Sequence, residues 1–240
     1  YKGYSFMIYL ILASVLWALS FSLIKTYLTD LDSNLVACLR LFISFIVFLP
    51  FFIPKFLDKK IFLKLLFIGA VEYGIMYMAY IFSFRFLHAY EVAIFTIFTP
   101  LYVIGIHDLQ ERKLNKYNLL AALIAVIGAT VAVSASVIVD DRPISEVIYG
   151  FLVLQVANFA FAFGQIEYRA VMKKKKIGNS SVFATLFLGA ALVTLPFAAV
   201  TTTWSELSIS SEQMLVLLWL GIIPSGLGFY FWNKGARKTK

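Results

Sequence analysis

Cysteine occurs once in the 240 residues, at Cys38, and histidine twice, at His88 and His107. A lone thiol excludes an intrachain disulfide and a cysteine-based metal site. His88 and His107 fall at opposite ends of one apolar stretch, and His88 with Glu91 is too small a set for a metal centre. No metal and no cofactor is therefore expected. Charge is scarce as well: 14% of residues are charged, against about 25% in soluble domains. No glycine-rich loop ending in a lysine of the Walker type occurs, so ATP is not the energy source in this chain. An intramembrane enzyme would need paired carboxylates, a Ser/His or Cys/His set, or a histidine cluster at matching depth, and the sequence offers none of these.

What fills the chain instead is hydrocarbon. Hydrophobic residues make up 61%, where soluble proteins hold roughly 45–50%. Eight apolar stretches approach the roughly 20 residues that a spanning helix needs: 6–24, 34–54, 61–84, 89–106, 118–139, 147–172, 182–201 and 213–232. They are continuous rather than alternating, which favours helices over a β-barrel. The first run has no small-residue cleavage site and is long enough to remain as a span. The chain opens on Tyr1 rather than Met, so trimmed N-terminal residues are expected.

The formal charge of +8 has a direction. With the N-terminus inside, the inner connections hold seventeen of the 21 Lys and Arg residues and the outer ones three, Lys25, Arg85 and Arg142, while Arg40 lies within a span. That is a positive-inside pattern. The lysine run 173–176 then reads as a topogenic signal, and no nucleic-acid partner is expected. A multi-pass protein of the plasma membrane (the inner membrane of a bacterium) with a cytoplasmic N-terminus follows.

One pattern recurs. Gly69-Ala70-Val71-Glu72-Tyr73-Gly74 reappears as Gly221-Ile222-Ile223-Pro224-Ser225-Gly226, and Arg85 and Arg237 follow at the same offset of 152. Pro50 matches Pro196, and Trp17-Ala18 matches Phe159-Ala160. The 140–146 connection separates residues 1–139, a first half with five spans, from residues 140–240, a second half with three. Five spans in a half force the next half to insert upside down, the plan of many secondary transporters.

Certain motifs add a resemblance. Ser14-Val15-Leu16-Trp17-Ala18-Leu19-Ser20 in the first span, Arg40-Leu41 in the second, Leu87-His88-Ala89-Tyr90-Glu91-Val92-Ala93 and Thr99-Pro100-Leu101 around the fourth, and Trp232-Asn233-Lys234-Gly235-Ala236-Arg237 near the end carry it. On these residues the chain resembles the EamA-type branch of the drug/metabolite transporter superfamily. The resemblance implies an all-α polytopic membrane protein built as an inverted repeat of five-helix halves. Eight of the ten helices it implies are present, so a C-terminally incomplete chain is expected.

Polar residues inside hydrocarbon cost about 2.5–3.5 kcal/mol when charged and usually face an interior cavity. Glu72 lies roughly 15 Å from either end of its span at the helical rise. Projection gathers Glu72, Tyr73, Met76, Tyr77 and Tyr80 on one arc. A carboxyl there can bond a substrate amine or couple to a proton, because burial disfavours its charged form. The alternatives are a pair with Arg40 or a protonated group bonded to a backbone carbonyl. Gln155, Asn158, Gln165 and Arg169 form a second stripe, for a ligand or for bonding between helices. His88, Glu91, Phe95, Thr99 and Tyr102 form a third, in which Glu91 suits the positive pole of a helix. Pro100 and Pro224 are expected to kink their spans. Arg40 is read as snorkelling or paired, with a substrate carboxylate as the alternative. Trp17 and Ser20 supply a deep aromatic and hydroxyl surface, and Trp232 reads as an interfacial anchor.

The candidate substrate-binding set is Trp17, Ser20, Arg40, Glu72, Tyr73, Met76, Tyr77, Tyr80, Phe95, Thr99, Gln155, Asn158 and Gln165, with Glu72 as the proton-coupling group. The expected function is a secondary transporter, most simply an exporter, of small metabolites such as amino acids, amines or carboxylates, working by alternating access around a central cavity. An uptake facilitator, an intramembrane enzyme and a non-transporting assembly subunit are the alternatives. The expected partners are a small-molecule substrate and the lipid bilayer, with homo-oligomerisation left open.

Overall fold

The computed structural model describes residues 4–52, 58–112, 116–140, 142–174 and 179–236. Lys2, Lys55, Lys113, Lys175, Lys176, Arg237, Lys238 and Lys240 of the charge pattern, and Asp141 of the connection between the halves, lie outside them. Every element among the described residues is helical. A helix bonds all of its own backbone groups, which hydrocarbon requires.

The first span is α1 (Tyr4–Tyr27) and the second α2 (Ser33–Phe48), which ends in a 3-10 turn, Leu49–Phe51. The third runs through α3 (Lys59–Gly69), a π turn (Ala70–Ile75) and α4 (Met76–Ser83). The fourth is α5 (Ala89–Phe95), a 3-10 turn (Thr96–Phe98) and α6 (Thr99–Glu111). Then come α7 (Lys116–Asp140), α8 (Ile144–Lys174) and α9 (Asn179–Thr201). The last span is α10 (Ser211–Leu220), a second π turn (Gly221–Gly228) and α11 (Phe229–Ala236). Seven of these are long and apolar enough to cross a membrane among the described residues. The remaining expected stretch, 118–139, lies in α7. The chain is an all-α polytopic membrane protein.

Local chemistry sets the breaks. Asp32 starts α2 by accepting the backbone N–H groups of Asn34 and Leu35 at 3.1 and 2.9 Å, a usual N-cap. Ser210 and Gln213 start α10 as a reciprocal capping box, Gln213 N–H to Ser210 Oγ at 3.1 Å and Ser210 N–H to Gln213 Oε1 at 2.9 Å. Pro100 has no N–H for the Thr96 carbonyl, and the fourth span tightens into its 3-10 turn, Thr96–Phe98, just before it. Pro224 likewise interrupts the last span inside its π turn. Both copies of the glycine pattern, Gly69 to Gly74 and Gly221 to Gly226, therefore fall on or beside π turns.

Side chains of other spans bond carbonyls of this irregular backbone. Ser44 Oγ donates to the Gly221 carbonyl at 2.7 Å, and Trp17 Nε1 donates to the Pro224 carbonyl at 3.1 Å. Irregular backbone at membrane depth survives only with such partners. The buried core lies where α9 packs along α2 on one side and along α3 and its π turn on the other. Gly69 and Gly189 make that second contact possible: a Cβ on Gly69 would overlap the Leu186 carbonyl, and one on Gly189 the Leu66 carbonyl. Small residues let two backbones meet where no apolar driving force separates helix from lipid.

Lateral contacts define two ends of the bundle. At one end Lys64 pairs with Glu167 at 2.7 Å and Lys234 Nζ lies 4.6 Å from the Tyr9 ring centre; this is the basic end. At the other, Asn34 Nδ2 donates to Thr201 Oγ1 at 3.1 Å and Gln213 Nε2 to the Tyr27 carbonyl at 3.0 Å. Leu12, Val15 and Leu19 of α1 and Leu152, Val156 and Phe159 of α8 are exposed, an apolar perimeter suited to lipid.

Gly189→Val is expected to separate α3 from α9 and destabilise the protein by about 1–3 kcal/mol or more, the cost of overpacking. Gly105→Ala, where an added Cβ meets nothing within 4 Å among the described residues, should leave the melting temperature in detergent unchanged.

Candidate substrate cavity

A cavity of about 870 Å³ runs up the middle of the bundle, within the range of small-molecule sites. At the basic end His107, Asp108, Asn118 and Arg169 border it. Asn118 Nδ2 donates to Asp108 Oδ2 at 2.7 Å, and Arg169 Nη2 donates to the Ala236 carbonyl at 2.6 Å. The His107 side chain is 65% exposed, which marks a mouth.

The deep end is aromatic. Tyr80 stacks edge-on against Phe84, ring centres 5.1 Å apart, and Phe21 lies 6.0 Å from Tyr80 and 6.4 Å from Phe84. Phe84 is fully buried. Beyond it comes a polar seal: Lys25 Nζ donates to the Phe84 carbonyl at 2.6 Å, and Arg142 donates to the Phe86 carbonyl at 2.9 Å and to Glu91 Oε1 at 2.8 Å. Glu91 Oε2 also accepts the His88 N–H at 2.7 Å. Glu91 thus caps the start of α5, as its place near the positive pole suggested, and also ties α5 to Arg142 in the connection before α8. The cavity is closed at this end and reaches the basic end.

Arg40 is a fixed charge in the cavity wall. It comes from the middle of α2, lines the cavity and is 1% exposed. Nη2 donates to Ser225 Oγ at 3.0 Å and to Tyr77 Oη at 3.4 Å, Tyr77 Oη donates to Ser225 Oγ at 2.8 Å, and the Tyr77 ring centre is 4.6 Å from Cζ. Nε and Nη1 have no hydrogen-bond partner among the described residues. Arg40 therefore does not snorkel, because α2 is packed against α9 and the second π turn. Nor does it pair with Glu72. Its partners are hydroxyls, which leave the positive charge uncancelled.

Glu72 lies behind the cavity wall. It is fully buried, Oε1 accepts Gln165 Nε2 at 2.5 Å, and Oε2 has no partner among the described residues. Gln165 lines the cavity and covers the acid: Nε2 also reaches Asn233 Oδ1 at 3.3 Å, and Oε1 accepts Trp232 Nε1 at 3.2 Å. Gly164 allows this closeness, since a Cβ there would overlap Glu72 Cβ. Tyr73, expected in the lining, is instead buried beside Glu72, where Asn233 Nδ2 donates to its hydroxyl at 3.4 Å.

The cavity brings together Trp17, Ser20, Arg40, Met76, Tyr77, Tyr80, Thr99, Asn158 and Gln165 of the expected set. It does not include Glu72, Tyr73, Phe95 or Gln155. Phe95 is fully buried, its ring 5.1 Å from Phe151. Gln155 Oε1 accepts Asn158 Nδ2 at 3.1 Å. Asn158 serves both readings of its stripe: it lines the cavity, yet Nδ2 also donates to the Phe95 carbonyl at 3.0 Å, and Thr99 Oγ1 donates to Oδ1 at 3.1 Å.

Trp232, read from sequence as an interfacial anchor, lines the cavity instead. The packing of α11 on α1 turns its ring towards Trp17, centres 5.2 Å apart. Phe229 and Phe161 complete this aromatic wall. A flat apolar stretch hides which Phe residues face inward. Ser225 had a signal, because the second glycine copy carries it where the first carries Tyr73.

A transmembrane bundle with a central cavity closed at one end and unspent polar groups has the form of a solute carrier. Residues 5–134 match the EamA-like transporter family. The chain belongs to that family. It is a small-molecule transporter of the drug/metabolite type and not an enzyme. A probable biotin transporter of Pseudomonas aeruginosa is 36% identical over 97% of this chain and 80% of its own length. The biotin transporters of Salmonella typhimurium and Escherichia coli K12 are 34% and 32% identical, each over 97% of this chain and 77% of their own. A solved crystal structure superposes with a TM-score of 0.68 at 16% identity, over 99% of this chain and 81% of that one, a likeness of fold alone.

In this EamA transporter the Glu91 end is expected to open when its seal is broken. A cysteine at Ser20, in a Cys38→Ser background, should react with an impermeant thiol reagent chiefly from the basic end. Adding Arg142→Gln should raise its labelling from the Glu91 end several-fold.

Proposed function

We propose that this transporter carries biotin, or a closely similar carboxylate with an uncharged ureido and apolar body, by alternating access between the two ends of the cavity. The observation that carries the proposal is Arg40: a buried, permanently charged guanidinium in the lining with Nε and Nη1 left over. A carboxylate would complete that donor set with the charge-assisted geometry arginine suits best. Asn158, Gln165 and Thr99 offer neutral donors and acceptors for a ureido group. Trp17, Tyr80, Phe161 and Trp232 offer apolar faces for a bicyclic ring and its chain. The names of the relatives point to the same substrate.

Amino acids and amines, expected from the sequence, fit this lining less well. An ammonium would need an acid beside it: Asp108 lines the cavity at the basic mouth, where Asn118 donates to it and His107 lies 4.0 Å away, and Glu72 is behind Gln165. The same cycle runs in either direction, so export is one case of it and the net direction follows the gradients acting on the solute. In this reading residues 1–139 and 140–240 are inverted halves, the two π turns are counterparts, and the basic end faces the cytoplasm of the cell.

In proteoliposomes the wild type should exchange labelled biotin, and biotin methyl ester, which lacks the carboxylate, should compete poorly. Arg40→Met should lower uptake at subsaturating biotin about 10- to 100-fold, the equivalent of a charged hydrogen bond of ~1.5–3 kcal/mol. Arg40→Lys, which keeps the charge but not the fork, should fall between the two. Equal competition by ester and acid would remove the carboxylate from the argument.

A further inference from the structure

Glu72 is an acid without a countercharge at the centre of a membrane protein. It is fully buried, and no cation is bonded to it among the described residues. Tyr73, beside it on its own span, lies within its hydrogen-bonding and electrostatic reach, and Tyr77 shares that span. Most other charged side chains on the elements around it have other partners. Arg40 on α2 bonds Tyr77 and Ser225. Glu167 on α8 pairs with Lys64 on α3. Tyr168 on α8 is buried, its ring 6.2 Å from Phe183, Arg169 bonds the Ala236 carbonyl, and Tyr230 on α11 stacks 5.8 Å from Phe183. The described part of α9 has no titratable group.

Burying a carboxylate is costly without a partner charge, and no cation is bonded to this one among the described residues. The route between this acid and the cavity is a single amide. Gln165 lines the cavity and holds Glu72 Oε1 with one end and Trp232 Nε1 with the other. Moving Gln165 or Trp232 uncovers the acid. The acid also rides on a π turn, Ala70–Ile75, a helical form concentrated at functional sites.

We propose that Glu72 is the proton site of this transporter, loading one proton when Gln165 swings aside in one orientation of the cavity and releasing it in the other. The proposal rests on the carboxylate-substrate reading only for its balance of charge. The substrate anion neutralises Arg40, the proton neutralises Glu72, and one anion with one proton crosses with no net charge. Flux is then driven by a pH gradient and is indifferent to membrane potential. Gln165 is the positioning residue that keeps loading from one side separate from release to the other.

Two measurements test it. Infrared difference spectra of the purified protein over a pH series should show a protonated carboxyl band at neutral pH that is absent in Glu72→Gln, itself checked for a wild-type melting curve. In proteoliposomes with a trapped pH dye, wild-type biotin flux should carry protons in a ratio near one. An imposed pH gradient should drive several-fold biotin accumulation, and a potassium diffusion potential should drive none. Glu72→Gln should lose both the proton signal and the accumulation.

Absence of a Glu72-dependent band overturns the proton site, whatever the substrate. Biotin exchange without proton movement overturns the coupling and leaves the substrate reading standing. A Glu72-dependent band in a protein that moves no biotin supports the proton site and overturns the substrate reading instead.

Discussion

A guanidinium cannot shed its charge, and in this bundle one is held near the middle of a helix with hydroxyls as its bonded partners among the described residues. Most of the arrangement around the cavity follows from keeping Arg40 there. The Tyr77 hydroxyl and ring and Ser225 Oγ solvate one part of the group. Ser225 is available only because the last span unwinds into a π turn, and the backbone of that turn is steadied by Ser44 and Trp17 from other spans. The remainder of the guanidinium is left for whatever enters the cavity. The groups bonded to Arg40 are neutral, which in the proposed reading favours an anion over a zwitterion. The reason is the desolvation cost of an unpaired ammonium.

The second ionisable centre is arranged in the opposite way. Glu72 is separated from the cavity by one amide and from Arg40 by the hydroxyl-bearing face of its own span. Had the two met as an ion pair, the cavity would hold no net charge and no vacant donors. Their separation keeps two distinct ionisable centres in one protein. The Gly164 contact with Glu72 holds α8 close enough for Gln165 to cover the acid.

The glycine pattern links these two centres. Its first copy bears Glu72 and Tyr73 and its second Pro224 and Ser225, and both lie on π turns that pack closely against neighbouring helices. Gly69 allows the approach of α9, while Gly221 lies against Ile43 and the Arg40 carbonyl of α2. The same backbone device is used twice with different side chains.

Hydrophobic length, charge asymmetry and the glycine pattern were enough to read a polytopic helical transporter from the sequence, because span length and backbone satisfaction in lipid leave little freedom. Arg40, Tyr77, Tyr80 and Asn158 could be singled out for the same reason: a polar group in hydrocarbon is expensive wherever it points. Where each one points is a different matter. Helical projection places Glu72 and Tyr77 on one arc, but the π turn between them shifts the register. Tyr77 reaches the cavity and Glu72 does not. Trp232 carries the composition of an interfacial anchor, and only the packing of α11 on α1 turns it inward. Periodicity records which residues share a face within one helix. Which face meets which neighbour is decided by the fit between helices, and that exists only in the folded bundle.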